Sequence, residues 1–543
     1  MGVFDLKKPL TIAFLAALVV APLGAGSQSA RHAFTVPHEL RYATGEDIVG
    51  LNPHLNQQVT LSYMASLTMA YLFKFDIHNK PVPELATVVP TQANHGISAD
   101  GKTITFHLRH DAKWADGVAF TSDDVKFSTD VVLDSANNEG THEGFDKIEH
   151  VDVPDKYSIV YHLREPHASY YVNFFSSAGG NPCILPKHKF DSTKINTAPY
   201  NDLPLGIGPF KYESWKRSDA VVMVPDPLYF GRKPKLQKII FKIIPDRNTT
   251  LTQLTTHEID LWQPVPPAFA DRTKGLAGIE IIQQASYLYD HIDLNLTNAA
   301  LADVNVRQAL LLAVDRPTIL EKVRHGTGLL QEGVLPPGHP YFDPTIARVP
   351  FDIAKANALL DRAGYKRGAD GIRAKGATRL EFTYASGSGL PDTDQQIELI
   401  RSTWQQIGVD FTVRRYLPSI FFAPAQTGGI IYSGKFDVTN FGWANNPLGD
   451  LSNIYACERV PPKGQNVGRY CNKRVDKAIV RFATTYDEKT QRETSRYIQE
   501  QMVRDVATIV LDIRKDTFAF NSDLKGYHPN QVTPFDDISK VDI

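Results

Sequence analysis

The chain has 543 residues, a formal net charge of -2, 42% hydrophobic residues and 22% charged residues. That length exceeds one ordinary core, so two or more domains are expected, and the composition is that of a globular protein. Near-neutral charge without a long Lys/Arg run argues against nucleic acid or an anionic membrane surface as a partner.

At the N-terminus, Lys7 and Lys8 precede an apolar run over 10–20. The small residues Ala21, Gly24, Ala25, Gly26 and Ser27 follow. Basic, then apolar, then small is the order of a secretory signal peptide, so 1–30 is expected to be removed on export. The run is shorter than the roughly 20 residues that a bilayer span needs. No cysteine stands near the cleavage region to carry a lipid, and no later segment reads as a membrane helix. The expectation is a soluble, monomeric protein held in a periplasm without a lipid anchor.

A first strand is predicted over 40–43. Apolar residues at helical spacing, Met64, Leu67, Tyr71 and Leu72 among them, predict a helix over 61–73. Asp100-Gly101 marks a turn, after which Ile104, Phe106 and Leu108 alternate with polar residues as a half-buried strand. Thr121 and Asp124 form a capping-box pattern ahead of a helix. A strand over 239–243 precedes a helix that carries Leu251 and Leu254 and ends near His257. Asp303 caps a long helix whose apolar face is Val306, Ala309, Leu310, Ala313 and Val314, and Gly326 stops its continuation. The last strand is predicted over 508–513. Helices and strands alternate throughout, so the class is α/β.

Cys457 and Cys471 flank a Pro/Gly-rich loop and suit a bridge that staples it; two buried thiols are the other reading. Cys183 is then a buried apolar residue.

Catalytic signatures are missing. There is no GxxxxGK[ST] phosphate loop, and no second His completes an HExxH after His38, His142 or His257. Ser388 has Ser386 where a nucleophile elbow requires Gly. The 17 histidines form no ligand cluster along the chain, and His107 and His110 fall on opposite faces of a strand. No catalytic residue, metal or cofactor is expected.

The sequence does offer a ligand-binding strip. Asn440, Phe441, Gly442, Trp443, Ala444, Asn445 and Asn446 place an aromatic plate beside a glycine and amides. That suits stacking, close backbone approach and hydrogen bonding to a ligand. A core Trp followed by an Asn turn fits the same residues equally well.

Ordered landmarks then accumulate. They are Leu51-Asn-Pro-His54, Pro83-Glu-Leu-Ala86, Trp114-Ala-Asp-Gly117, Gly206-Ile-Gly-Pro-Phe210, Glu258-Ile-Asp260, Val306-Arg-Gln-Ala-Leu310, Phe436-Asp-Val438 with Gly442-Trp443, and Tyr470-Cys-Asn472. Together the set resembles the family 5 extracellular solute-binding proteins, the dipeptide-, oligopeptide- and nickel-binding proteins of ABC transporters. The resemblance implies a two-lobed periplasmic-binding-protein fold of type II, in its large cluster C form. One lobe would be 31–73, 201–285 and 508–543, carrying an inserted subdomain over 74–200; the other would be 286–507. Two crossovers, near Ala285 and Ala507, would form the hinge.

The resemblance also places Gln57, Gln58, Val59 and Thr60 in the cleft with the strip 440–446. It implies a small-molecule or peptide ligand, and a membrane permease and ATPase as partners. In the peptide binders an Asp shortly after the Trp holds the ligand α-ammonium. Asn446 stands there instead, which favours a less cationic or blocked ligand, with Asp450 as the substitute carboxylate if the loop is shifted. An exported hydrolase or a ligand sensor on the same fold is the alternative function.

Overall fold

The computed structural model describes residues 32, 34–56, 58–69, 71–178, 181–535 and 537–543. The expected signal peptide, 1–30, lies outside the described residues, as does Gln57. Among the described residues no helix is long and apolar enough to cross a membrane.

One large mixed sheet runs through the molecule. Its strand order is Asp410–Tyr416, Glu381–Gly387, Val438–Ala444, Ile279–Leu294, Ile509–Asn521, Leu261–Trp262, Glu39–Thr44, Lys238–Ile243, Ala220–Pro225, Phe210–Lys216. Ile279–Leu294 and Ile509–Asn521 pair antiparallel over most of their length. Their two ends belong to different lobes. At one end Leu40, Tyr42, Ile239 and Phe241 build a core with Leu61, Met64 and Leu67. At the other, Ile292 and Leu294 pack with Val306, Leu310, Tyr384 and Trp404. The two-lobed α/β fold is therefore present, and these paired strands are its link.

The link has a discontinuity. Ala285 pairs with Lys515 and the next pair is Tyr289 with Ile513, so Ser286, Tyr287 and Leu288 oppose Arg514. Such a bulge bends the strand and re-aims its side chains. It faces Arg514, several residues beyond the crossover expected near Ala507. The last strand is also longer than expected, because its polar middle, Arg514 to Asp516, hides a continuous ladder.

Local signals mostly hold. The Thr121 N–H donates to Asp124 Oδ2 at 2.9 Å, closing the expected capping box of Ser122–Leu133. Asp303 Oδ1 accepts from the Asn305 N–H and opens Val304–Leu312. The chain then breaks and restarts as Arg316–Lys322, so the expected long helix is two. The first helix is Val59–Thr68 and stops short of residue 73. Its last carbonyl, on Thr68, accepts from the Ile207 and Gly208 N–H groups. A Cβ on Gly206 would lie 1.9 Å from that oxygen, so the glycine permits the approach. Tertiary pairing thus ends a helix that the apolar spacing would continue.

Between the strands Glu39–Thr44 and Phe210–Lys216 lies a separate three-stranded sheet, Thr103–His107, Ser158–Leu163 and Ile148–Asp155, with its own core around Phe106, Trp114, Phe145 and Tyr161. It also packs on the other lobe. Phe75, Val172 and Ala178 share a cluster with Leu335, Tyr341, Leu451 and Phe482. The Tyr486 hydroxyl donates to the Gly101 carbonyl at 2.9 Å and accepts from the His167 N–H.

Candidate ligand cleft

The strip read from the sequence is the strand Val438–Ala444, paired with Ile279–Leu294 in the register Tyr289 with Trp443, Asp290 with Gly442 and His291 with Phe441. Alternation gives the strand two different faces. One carries Phe441 and Trp443, whose rings meet edge to face at 5.2 Å, with His291 beside both. Trp443 is only partly buried, yet its Nε1–H is enclosed and has no acceptor among the described residues.

The other face carries Gly442, and the space above it is filled. A Cβ there would lie 2.8 Å from Arg514 Nη2 and 3.2 Å from Asp290 Oδ1. Arg514 donates twice to Asp290, at 2.6 and 2.9 Å. Arg324 lies 3.5 Å from both Asp290 and Asp512. Burial pushes the Asp290 carboxyl up, but the guanidinium groups of Arg514 and Arg324 outweigh it and hold the group below the usual carboxylate range. The Asp512 carboxylate oxygens have no hydrogen-bond partner among the described residues, and burial carries the group up to about 6 against Arg324, with the Asp290 charge adding. Gly442 therefore makes room for an internal guanidinium, where the sequence reading gave it to ligand approach.

The amides are largely committed to the fold. Asn445 Nδ2 donates to the Val334 carbonyl at 2.7 Å, and its buried Oδ1 has no partner among the described residues. Asn446 Oδ1 accepts from the Gly449 N–H at 2.7 Å and from the Asp450 N–H at 3.2 Å, an Asx-type turn. Its carbonyl accepts from His339 Nε2. Asp450 accepts from the Ser169 hydroxyl at 2.8 Å and from the Ser452 N–H at 2.9 Å. On the Gly442 face, Asn440 Nδ2 reaches Gln396 at 3.3 Å, and its Oδ1 has no partner among the described residues. Ala444 is exposed.

On the other lobe, Gln58 spends its amide on the loop before the helix, donating to the Asp47 carbonyl and accepting from the Val49 N–H. Val59 is exposed, and the Thr60 hydroxyl bonds Thr44 at 3.2 Å. One turn on, the Tyr63 hydroxyl accepts from Gln263. Asp516, on the linking strand, went unnoticed in the sequence. Burial pushes its carboxyl up, against a hydrogen bond from Ser286 and the charge of Arg514. Two cavities lie away from the strip. One, about 320 Å³, touches none of the residues expected to bind ligand. The other, about 250 Å³, includes Asp450 together with Glu143, His167 and Arg459.

The expected bridge is present: Cys457 and Cys471 are disulfide-bonded, 14 positions apart, and close the loop between them. Cys183 is free and buried.

The model of bacterial extracellular solute-binding proteins, family 5 Middle, matches residues 80–461. The chain belongs to this family. The dipeptide-binding protein of Escherichia coli (strain K12) is 27% identical over 505 residues, covering 88% of this chain and 90% of that protein. Two solved structures share the fold. NikA from Brucella suis in complex with Fe(III)-EDTA superposes with a TM-score of 0.80 at 22% identity, covering 93% of this chain and 99% of that one. AppA from Bacillus subtilis in complex with a nonapeptide gives 0.76 at 22% identity, covering 93% and 98%. As a member of a solute-binding family, the protein is a capture protein.

Proposed function

We propose that this protein is the periplasmic solute-binding component of an ABC importer, taking a peptide-like or other small polar ligand between its lobes and delivering it to the permease and ATPase. One observation carries the placement of the ligand. Trp443 Nε1, Tyr287 Oη and Asn445 Oδ1 are buried polar atoms without partners among the described residues. They lie on or beside the strand next to the bulge. Buried polar groups are normally paired, so a cluster of unpaired ones calls for a ligand or water. Relatives named for dipeptides and oligopeptides support the ligand class.

The lobes would be 31–73, 201–285 and 508–543 against 286–507, with 74–200 as the inserted subdomain. Closure would turn about the bulge at 285–289. Trp443 would stack on the ligand. Thr60 and the backbone near Gln58 and Val59 would form the opposite wall.

Where the ligand carries an ammonium, Asp516 would receive it. Asp450 already accepts from Ser169 and Ser452, and the Asn446 side chain closes its own turn. The carboxyl of half-buried Asp516 is held up towards its neutral form, and an incoming cation would return it to the charged form.

Calorimetry with a free-amine tripeptide and its N-acetylated form tests the reading. Tight binding that Trp443→Ala weakens by about 1–3 kcal/mol is expected. Asp516→Asn should weaken the free-amine ligand alone. Binding that is indifferent to Trp443 would refute the placement.

A further inference from the structure

Three side chains outside the cleft converge on the inserted sheet. In the hairpin formed by Ile148–Asp155 and Ser158–Leu163, His150 lies directly opposite His162, and Asp152 stands two residues along the same strand. Directly opposed residues share a face, so both imidazoles project from one side. Ile148, Ile159, Tyr161 and Leu163 are buried beneath, which leaves the histidine side to solvent. The two rings stack at 4.1 Å, 7° from parallel. His162 Nε2 is 3.0 Å from Asp152 Oδ2. One donor atom from each residue lies within 4.8 Å of the other two.

We propose that His150, Asp152 and His162 form a surface site for a divalent transition-metal ion of the Zn²⁺, Ni²⁺ or Cu²⁺ class. Two imidazoles and one carboxylate suit these ions and not Ca²⁺ or Mg²⁺, which take oxygen ligands. Bonds of about 2.0–2.1 Å set tetrahedral donors about 3.3 Å apart. The Nε2 to Oδ2 distance already matches that spacing. The second imidazole has to turn out of the stack so that its lone pair converges with the first. That motion is open to an exposed side chain, since neither ring holds up the core. Three protein donors leave positions for water or a donor from a docking partner, so the ion would exchange readily.

The site is separate from the ligand cleft and does not depend on the transport reading. It was invisible along the chain because hairpin register alone unites residues twelve positions apart.

Untagged protein, stripped with chelator and dialysed, is titrated with ZnCl₂ and NiCl₂ by calorimetry. One strong equivalent is expected in the wild type. His150→Ala and His162→Ala should each weaken that site at least about 10-fold, the scale on which metal sites respond even to loss of supporting groups. Circular dichroism identical to wild type certifies folding. Should either exposed variant misfold, Asp152→Asn and the visible spectrum of the Co²⁺-loaded wild type provide the same reading. An isotherm that survives both histidine substitutions, or no heat at millimolar metal, overturns the proposal.

Discussion

Gly442→Ala separates two roles for the same glycine. If the glycine admits a ligand backbone, the substitution harms binding and leaves stability alone. If it houses Arg514, the damage is to the fold. Gly442 lies in a strand with no positive φ, so alanine fits the backbone and gains about 0.4–1 kcal/mol from the less disordered unfolded chain. Against that, its Cβ would sit 2.8 Å from Arg514 Nη2, where ordinary contact begins near 3.4 Å. The tip of an arginine can usually retreat, but this one donates to Asp290 at 2.6 and 2.9 Å. A shift of about half an ångström carries the longer bond beyond the usual hydrogen-bond range and stretches the shorter one towards its limit. Overpacking of this kind costs about 1–3 kcal/mol, and full rupture of a buried pair about 3–5 kcal/mol. The net expectation is destabilisation of about 1–2 kcal/mol. Urea unfolding monitored by fluorescence measures it, with Gly50→Ala as control, because no atom lies within 4 Å of a Cβ there. A Gly442→Ala protein as stable as Gly50→Ala refutes the reasoning.

Three further outcomes follow from named contacts. His339 is buried, and burial holds it down to about 4 against its bond to the Asn446 carbonyl. Its contribution to stability is complete above pH 6.5 and is lost as pH falls through 4, by about 3 kcal/mol; His339→Gln should flatten that limb of the acid-unfolding curve, and an unchanged slope would count against it. Replacing both Cys457 and Cys471 by Ser should lower unfolding free energy by about 2–4 kcal/mol through loss of loop closure, read from denaturant midpoints; equal midpoints in oxidised and Ser forms would deny the bridge a stabilising part. Asn446→Asp keeps the acceptor that Gly449 and Asp450 use, so it should fold and should not improve binding of a free-amine peptide; a gain of about tenfold in calorimetry would show that the position faces the ligand after all.

Several features were readable from residue order because their causes are local. Thr121 with Asp124, Asp303 ahead of its helix, and the alternation over 103–107 depend on neighbours within a turn or a strand. The bridge between Cys457 and Cys471 was readable for the same reason. Other features depend on partners far along the chain. Gly442 is explained by Arg514, and the end of the first helix by Gly206 and Gly208. The histidine pair on the inserted hairpin exists only through register. The strip 440–446 is split between the strand Val438–Ala444 and the turn after it, and its amides bond mostly within the protein. Residue type announces that an Asn can hydrogen-bond, and only the fold decides with whom. Asp516 was overlooked because a lone carboxylate in a polar stretch looks like surface, and only the fold brings Ser286 and Arg514 to it.

Capture of a ligand between the lobes at Trp443 is the central claim, and native mass spectrometry tests it most directly. Wild type and Trp443→Ala are incubated with a pooled mixture of peptides and glycosides, desalted and weighed intact. The account predicts one small molecule per wild-type chain and markedly less on Trp443→Ala. A wild-type chain that carries nothing from the pool, or a Trp443→Ala chain that retains the same molecule in the same amount, would contradict it.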